Sequence, residues 1–226
     1  IRMVREFLTT FPKAYADVQK LVMKNRIFIE RTRDVGYLSR EDAINGGATG
    51  PIARASGVTR DLRRDEPYLA YNDLDFNIIC SNAGDCYARF QVRVLEIAES
   101  LKIISQAIDR LPAGPVFAEG TGKESIPDKT EVYRSIEGLI HHFESIMPNR
   151  QPEGPKEEIY TATESPNGEL GYYLVSDGSF RAYRARTRPP SLIHFSLFPK
   201  MMRGYMLSDV VAVLGSLNII AAELDR

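Results

Sequence analysis

One periodic stretch decides the fold class: DCYARFQVRVLEIAESLKIISQAIDRL, residues 85–111. Its apolar side chains recur at alternating spacings of three and four residues, which places them on one face of a helix. Pro112 follows directly and cannot continue the pattern. The stretch predicts a long amphipathic helix with a coiled-coil-like seam that packs in a bundle. The seam consists of Tyr87, Phe90, Val94, Ile97, Leu101, Ile104, Ile108 and Leu111.

The residues before this stretch predict further helices and one irregular segment. Residues 2–33 repeat the same apolar spacing and predict one or two helices, with a kink or a new start at Pro12. Ser39 begins an approximate capping box, which predicts a short helix ending at Gly46-Gly47. Residues 46–83 lose the periodicity and are rich in Gly, Pro, Asp and Arg. A long irregular segment of this kind is usually functional or an assembly surface.

The residues after the stretch predict helices on either side of a small sheet. Asn167-Gly168 and Asp177-Gly178 are hairpin-turn signals between three strand-like runs. We therefore predict an α+β fold, mainly a helical bundle with a small three-stranded antiparallel sheet. The predicted parts are a helical core (1–148), the sheet (156–190), and C-terminal helices with a docked tail (191–226). The predicted elements are a helix at Lys129–Met147, strands at Glu158–Ser165, Leu170–Ser176 and Arg181–Arg188, and helices at Leu192–Arg203 and Leu207–Leu217.

Composition excludes several classes of protein. The chain has 226 residues, 43% apolar and 26% charged, which is typical of a globular domain or a two-part domain. The 29 Lys and Arg against 30 Asp and Glu disfavour nucleic acid as principal partner. Two cysteines are too few for a disulfide scaffold or a four-thiolate metal site, and a reducing compartment fits best. The longest apolar run, Val210–Ala222, is too short to cross a bilayer.

Few residues suggest chemistry by themselves. His141 and His142 are adjacent, so on a helix they point about 100° apart and cannot readily hold one metal ion; we expect surface or interface histidines. Cys80 and Cys86 lack a chelating spacing and are expected to be small buried thiols. No dinucleotide, P-loop, nucleophile-elbow or zinc-protease motif occurs.

Arginines alternate along the last predicted strand and so share a face. They could bind an anionic ligand or a polynucleotide. Because the chain is not basic overall, we expect them to meet acidic residues of a neighbouring helix or a partner instead. These residues are Arg184, Arg186 and Arg188.

Two segments point to a site. Gly50–Gly57 brackets Arg54 with small residues, which allows its backbone and guanidinium to approach another group closely. The C-terminal segment Gly215–Arg226 is apolar but ends in charged residues, unlike a frayed chain end. We expect this tail to dock into an interior or an interface.

The sequence closely resembles the 49 kDa-type (D-type) subunit of respiratory complex I, the NADH:quinone oxidoreductase. The matches follow family order over essentially the whole chain and correspond to the C-terminal half of that family. They are Asn25–Ile27, Thr49–Pro51, Arg54–Gly57, Asp61–Arg64, Gly84–Tyr87, Val92–Arg93, Glu99–Ile104, Gly168–Gly171, Val175–Gly178 and Glu223–Arg226.

The resemblance implies a fold like that of the [NiFe]-hydrogenase large subunit. That protein binds its metal through two Cys-x-x-Cys motifs, and no cysteine follows Cys86 here, so a nickel–iron site is excluded by the missing ligands. The resemblance implies that the former metal cavity forms the head of the quinone chamber. The resemblance implies that this chain binds no cofactor of its own, that quinone is the substrate, and that a partner carries the terminal [4Fe–4S] cluster.

The resemblance also implies which residues belong to the site. The family's quinone-ligand His and Tyr lie in the N-terminal half, so no catalytic residue is assignable here. Asn218 stands where many members have Asp, which keeps hydrogen bonding but removes a charge. Ala88 also replaces a common Asp. The chamber candidates are Asn218, Ile220, Arg54, Gly50, Pro51 and Ser56, and the candidates facing the cluster or a partner are Arg226, Asp225 and Glu223.

The implied partners belong to complex I: the cluster-bearing small subunit, the C-type neighbouring subunit, the membrane quinone-channel subunit and the N-terminal half of the 49 kDa-type subunit itself. Membrane contact would occur only through them, in the peripheral arm at the cytoplasmic face of a bacterial inner membrane or at the mitochondrial matrix side. The isolated chain would be inactive. The alternatives are an assembly fragment without quinone contact and a hydrogenase-related large subunit that has lost its metal.

Overall fold

A computed structural model describes residues 1–114, 127–146, 154–179 and 181–225. The chain divides into two compact units. The first comprises Ile1–Leu111, Thr161–Gly171 and Thr187–Arg226, and the second comprises Pro112–Tyr160 and Tyr172–Arg186. The predicted parts 1–148, 156–190 and 191–226 stay a prediction.

The described residues form ten α-helices and three strands. Three short 3₁₀ turns lie at Tyr71–Asp73, Leu207–Asp209 and Ala221–Glu223. The helices are α1 (Arg2–Met23), α2 (Arg26–Thr32), α3 (Arg40–Asn45), α4 (Gly50–Ala55), α5 (Leu62–Asp65), α6 (Cys86–Asp109), α7 (Lys129–Arg134), α8 (Ile136–Ile146), α9 (Pro190–Met201) and α10 (Val210–Leu217), and the strands are β1 (Glu158–Ser165), β2 (Gly168–Val175) and β3 (Arg184–Arg188).

The predicted long helix is α6, and it lies at the centre of the first unit, in contact with α1, α2, α4 and α10. Asp85 caps it by accepting a hydrogen bond from the backbone N–H of Ala88 (2.7 Å). Its first turn, Cys86–Arg89, is buried on all sides, and Ala88 and Val92 pack against Ala55 of α4. The larger hydrophobic core joins α3, α4, α6, α9 and α10 and includes Leu38, Ile52, Cys86, Leu197, Met201, Val213 and Leu217.

The region 2–33 forms two helices, but the break is not at Pro12. Helix α1 runs through Pro12 to Met23, and Asn25 caps α2 by accepting hydrogen bonds from the N–H groups of Ile27 and Phe28. Proline removes one hydrogen bond from a helix. No residue of α1 is buried, so water can solvate the carbonyl that loses its partner.

Two other boundaries differ from the prediction. Residues 46–83, expected to be irregular, contain α4 and α5 as well as a 3₁₀ turn; the small residues of α4 allow it to pack closely on α6. The single helix predicted from Lys129 is divided into α7 and α8 at Ser135, whose hydroxyl accepts a hydrogen bond from the N–H of Gly138 (2.8 Å). The short helix after Ser39 is confirmed, with Ser39 as its cap.

The small antiparallel sheet is confirmed, with the strand order β1–β2–β3. The third strand begins at Arg184 rather than Arg181. The turn end of the β1–β2 hairpin belongs to the first unit and the rest of β1 and β2 to the second.

Candidate functional site

A buried network of charges surrounds Arg54 in the first unit. The guanidinium is 2% exposed and donates to Glu96 of α6 (2.7 Å) and Glu164 of β1 (2.8 Å). Asp61 lies 3.4 Å away and makes a closer contact with Arg63 (2.6 Å). The backbone carbonyl of Arg60 accepts a further hydrogen bond from Arg54. Three carboxylates therefore face two guanidinium groups in a largely buried volume.

Burial and charge act in opposite directions on these groups. Burial raises the pKa values of Glu96 and Glu164, and the charge of Arg54 only partly offsets this. Burial by itself would lower the pKa of Arg54, but the charges of Glu96, Glu164 and Asp61 outweigh it and raise that pKa. The pKa of Asp61 is lowered because the hydrogen bond from Arg63 and the nearby guanidinium charges together outweigh its burial. The cluster thus keeps Arg54 charged.

Helix α6 carries two further arginines, Arg89 and Arg93, and neither makes an ion pair with a carboxylate among the described residues. Arg89 is completely buried and donates to the carbonyls of Gly84 (2.9 Å) and Gly36 (2.8 Å) and to Oγ of Ser216 (2.9 Å). Arg93, one turn further on, donates to the carbonyl of Ser216 (2.7 Å). The contacts with Ser216 lie at the C-terminal end of α10, where the helix dipole favours positive charge.

Arg93 is the less satisfied of the two. Its Nε is buried and has no hydrogen-bond partner. Burial, together with the neighbouring charge of Arg89, lowers the pKa of Arg93 to about 10. An incompletely bonded buried cation of this kind favours an additional acceptor.

Two cavities meet at Arg93 and Asn218, which line both. The cavity of about 330 Å³, called the polar cavity below, is lined mostly by charged and polar residues, including Arg54, Glu96 and Glu164. The cavity of about 680 Å³ lies between α2, α6 and α10 and is mainly apolar. Its lining includes Phe28, Phe90, Val211, Ala212, Cys86 and Ser216.

Asn218 ends α10 in the left-handed conformation (φ 53°). Its amide donates to Oδ1 of Asn167 (2.7 Å), and Asn167 donates to the backbone carbonyl of Asn218 (3.1 Å). Asparagine tolerates the left-handed region better than most residues, because its short polar side chain can bond locally. This reciprocal pair ties the end of α10 to the β1–β2 turn.

His194 of α9 is a fully buried histidine. Its Nε2 accepts a hydrogen bond from the backbone N–H of Thr49 (3.3 Å), so the ring proton resides on Nδ1, which has no partner. Burial, and to a smaller extent the charges of Arg93 and Arg188, lower the pKa of His194 to about 4. The imidazole is therefore neutral at neutral pH.

The small residues of the predicted chamber have clear packing roles. Gly50 has φ +63°, and a Cβ at this position would lie 2.4 Å from Cα of Gly168. Pro51 is buried in the first turn of α4, and buried Ser56 donates to the carbonyl of Leu38 (2.8 Å). None of these three lines either cavity described above. Of the six chamber candidates, Arg54 and Asn218 share the polar cavity.

The C-terminal tail is docked through some of its residues and exposed at others. Leu217 is buried and Ile219 packs against the large core. Glu223 accepts a hydrogen bond from the N–H of Ser191 (3.0 Å) at the start of α9. Ile220 is 46% exposed and Asp225 is exposed. Arg226 lies outside the described residues.

The remaining predictions have mixed outcomes. Cys86 is buried as expected, but Cys80 is exposed, so the prediction for Cys80 is wrong. Arg188 meets an acidic residue, Glu169, but on the neighbouring strand rather than on a helix (3.8 Å). Arg184 and Arg186 are exposed.

Sequence reasoning missed most of the polar site. Glu96, Arg89 and Arg93 lie off the apolar seam of α6, and Glu164 is in a strand that alternates only weakly. One available signal was the presence of charged residues within the most strongly periodic helix, since a charge that a helix buries must be paired with an opposite charge or hydrogen-bonded. No signal in the sequence identifies their partners.

Comparison with known proteins identifies relatives along the whole chain. The family model for the 49 Kd subunit of the respiratory-chain NADH dehydrogenase matches residues 1–226. The D-type subunit of the NADH-quinone oxidoreductase of Geotalea uraniireducens is 48% identical over 224 residues, which cover 99% of this chain and 56% of the relative. The first of the D-type subunits of Chloroherpeton thalassium is 47% identical over 99% of this chain and 50% of its own length.

A more distant relative is matched over a similar share of its length. The corresponding NADH-quinone oxidoreductase subunit of Ehrlichia ruminantium is 41% identical over 226 residues, which cover 100% of this chain and 57% of the relative. The chain therefore spans about half the length of the curated relatives it matches. None of the described helices is long and apolar enough to span a membrane.

Proposed function

This chain belongs to the family of the 49 Kd subunit of the respiratory-chain NADH dehydrogenase, and we propose that it is part of a proton-translocating NADH:quinone oxidoreductase. In this proposal it forms part of the wall of the quinone chamber and docks the subunit that carries the terminal [4Fe–4S] cluster. The observation that carries the proposal is the family match over all 226 residues. The comparisons favour neither an assembly fragment nor a hydrogenase-related subunit.

The geometry supports a chamber wall at the end of α10. Arg54 and Asn218, selected as chamber residues from distant parts of the sequence, line the same polar cavity of about 330 Å³. Asn218 is held by Asn167, so its amide has a defined position next to the buried charged groups around Arg54. Ile220, two residues further on, has nearly half of its surface free for contact with a ligand or partner.

In this proposal the chain's residues position quinone and exclude water, while electrons arrive from the partner's cluster. Asn218 supplies a neutral hydrogen-bonding amide at a position where an Asp would supply a charge. Arg54 is balanced by carboxylates, so its main effect is to hold α4, α6 and β1 together at the cavity. Glu223 and Asp225 remain candidates for the side facing the cluster-bearing partner.

The remaining partners and the location are proposed on the same basis. The chain would belong to the peripheral arm at the cytoplasmic face of a bacterial inner membrane, next to the C-type neighbouring subunit and the membrane quinone-channel subunit. It would bind no cofactor of its own, and it would be inactive in isolation. The likeness to the [NiFe]-hydrogenase large subunit stays a prediction.

Substitution of Ile220 tests the chamber wall. Ile220→Phe places a larger side chain on an exposed position of the tail, so we expect the complex to assemble with an altered KM for quinone or an altered response to quinone-site inhibitors. Quinone kinetics of the purified complex measure this. Ile44→Phe, at another exposed isoleucine, is the matched control. Unchanged quinone kinetics and inhibitor response in assembled Ile220→Phe would show that the tail serves only in packing.

A further inference from the structure

We propose that Glu96 is the proton-exchanging residue of the polar cavity. Arg54 holds one of its carboxyl oxygens, while the other takes up a proton from solvent and presents it to a hydrogen-bond acceptor bound in the cavity. The cavity has a volume of about 330 Å³, and its lining residues all belong to the first unit. The inference rests on the proposed function only for the identity of that acceptor, which would be a quinone carbonyl. The proton site itself follows from how the carboxylates of the cluster are bound.

Hydrogen bonds distinguish the three carboxylates around Arg54. Asp61 accepts from Nε and Nη2 of Arg63 (2.9 and 2.6 Å) and from its backbone N–H (3.0 Å). Glu164 uses both oxygens, one for Arg54 (2.8 Å) and one for a backbone N–H at the start of α5 (3.3 Å). Glu96 accepts a single hydrogen bond from the described residues, from Nε of Arg54 to Oε1 (2.7 Å). Because hydrogen bonds to a carboxylate favour its charged form, Glu96 is the least supported anion of the three.

Access to the cavity distinguishes Glu96 in the same way. Its side chain is 18% exposed, against 5% for Glu164 and 0% for Asp61. Oε2 of Glu96 has no hydrogen-bond partner among the described residues, and it is not one of the buried polar atoms that lack one. Since Glu96 lines the polar cavity, this free oxygen is the one that solvent or a bound molecule reaches.

Charged groups of both signs face Glu96, and burial decides the balance between them. Burial has the largest effect and raises the pKa of Glu96; the charges of Arg54 and Arg63 lower that pKa without cancelling the burial, and the charge of Asp61 raises it further. Glu96 and Glu164 both lie on Arg54, so their titrations are coupled, and the hydrogen bonds above assign the proton uptake to Glu96. The titratable and charged groups around Glu96 are Arg54 of α4, Asp61 and Arg63 at α5, Arg93 of α6, Glu164 of β1 and Cys80 in the segment before α6.

The step moves one proton and no electrons. The carboxylate takes a proton from hydronium, which forms an O–H bond at Oε2 and leaves water, while Arg54 stays charged beside Glu164 and Asp61. A carboxylate only accepts hydrogen bonds, whereas the protonated acid donates one. The protonated form therefore binds a molecule that brings an acceptor oxygen into the cavity, and it gives the proton up when that oxygen gains negative charge.

The proton site is tested on the purified chain, labelled with ¹³C at the side-chain carboxyls of glutamate and titrated by NMR. Glu96→Gln removes one resonance, which identifies it; Glu99→Gln, on the same helix, should leave that resonance in place. Should Glu96→Gln fail to fold, Glu96→Asp gives the same assignment, because it keeps a carboxyl but removes the glutamate signal. We expect the Glu96 resonance to keep shifting above about pH 5.5, where an ordinary glutamate has almost completely lost its proton. A titration complete below that pH would overturn the proposal whether or not quinone is the substrate.

The purified complex provides the second readout. Its kcat/KM for quinone should fall by up to about tenfold for each pH unit above the midpoint found by NMR, because the donating form disappears. Glu96→Gln keeps an N–H donor but cannot release a proton, so this pH dependence should be lost, whereas Glu99→Gln should keep it. An unchanged pH profile in assembled Glu96→Gln would refute the role of Glu96 towards the ligand. A natural complex that does not reduce quinone would refute the proposed function instead, and the NMR titration would still decide the proton site.

Discussion

Acid should destabilise the chain through His194, because the folded protein holds this imidazole neutral. Its folded-state pKa is lowered to about 4 from the ordinary value of 6.5 by burial and by the charges of Arg93 and Arg188. At a pH between these two pKa values, the imidazole is protonated in the unfolded chain but not in the folded chain. The contribution of His194 to stability is therefore present above pH 6.5 and is lost progressively as the pH falls towards 4.

The magnitude follows from the size of the shift. Each unit of pKa difference corresponds to about 1.4 kcal/mol, so His194 alone should lower the free energy of unfolding by about 2 kcal/mol between pH 7 and pH 5. Urea unfolding of the 226-residue chain, followed by circular dichroism at both pH values, measures this loss. The variant His194→Gln keeps an oxygen that can accept the hydrogen bond from Thr49 but cannot be protonated in this range.

The comparison of variants isolates the histidine from the other titrating groups. His194→Gln should lose less stability on acidification than the natural chain by about 2 kcal/mol, even if it is less stable at pH 7. An equal loss in the natural chain and in His194→Gln would show that the buried imidazole does not control acid stability.

Two further predictions concern packing and charge around α4. Arg54→Met leaves buried carboxylates unpaired and should destabilise the chain by about 3–5 kcal/mol, measured by urea unfolding at pH 7. The control is Arg26→Met; the side chain of Arg26 is 88% exposed, and its loss should change the stability by less than about 1 kcal/mol. Similar losses in the two variants would show that the buried charges around Arg54 do not stabilise the fold. Gly50→Ala would place a Cβ 2.4 Å from Cα of Gly168 and should cost roughly 2 kcal/mol or more in thermal or urea unfolding. Gly114→Ala, where no atom lies within 4 Å, is its control, and equal stability of the two variants would contradict the close approach.

Local sequence determined the helices and turns whose signals lie within a few residues. The spacing of apolar side chains from Tyr87 to Leu111 predicts α6, and Ser39 predicts the start of α3. The Asn167-Gly168 pair predicts the hairpin between β1 and β2. These features follow from geometry that each segment carries with it. The structure confirms all three of these features.

Tertiary structure decided the features that depend on residues far apart in the chain. Pro12 does not end α1, because the exposure of that helix lets water replace the missing hydrogen bond. Gly50–Ala55 becomes a helix because small residues allow close contact with α6. Periodicity cannot show either outcome, since both depend on what surrounds the segment.

The candidate functional site shows most clearly the difference between what the sequence predicts and what the tertiary structure decides. The sequence, read with its family resemblance, singled out Arg54 and Asn218, and their local context marks a loop of small residues and an apolar tail. It could not show that Glu96 and Glu164 compensate Arg54, or that Nε of Arg93 is buried without a hydrogen-bond partner. Ion pairing in a buried site depends on distances of a few ångströms between distant segments. The sequence by itself therefore determined which charges are present, and only the folded chain decided which of them are paired.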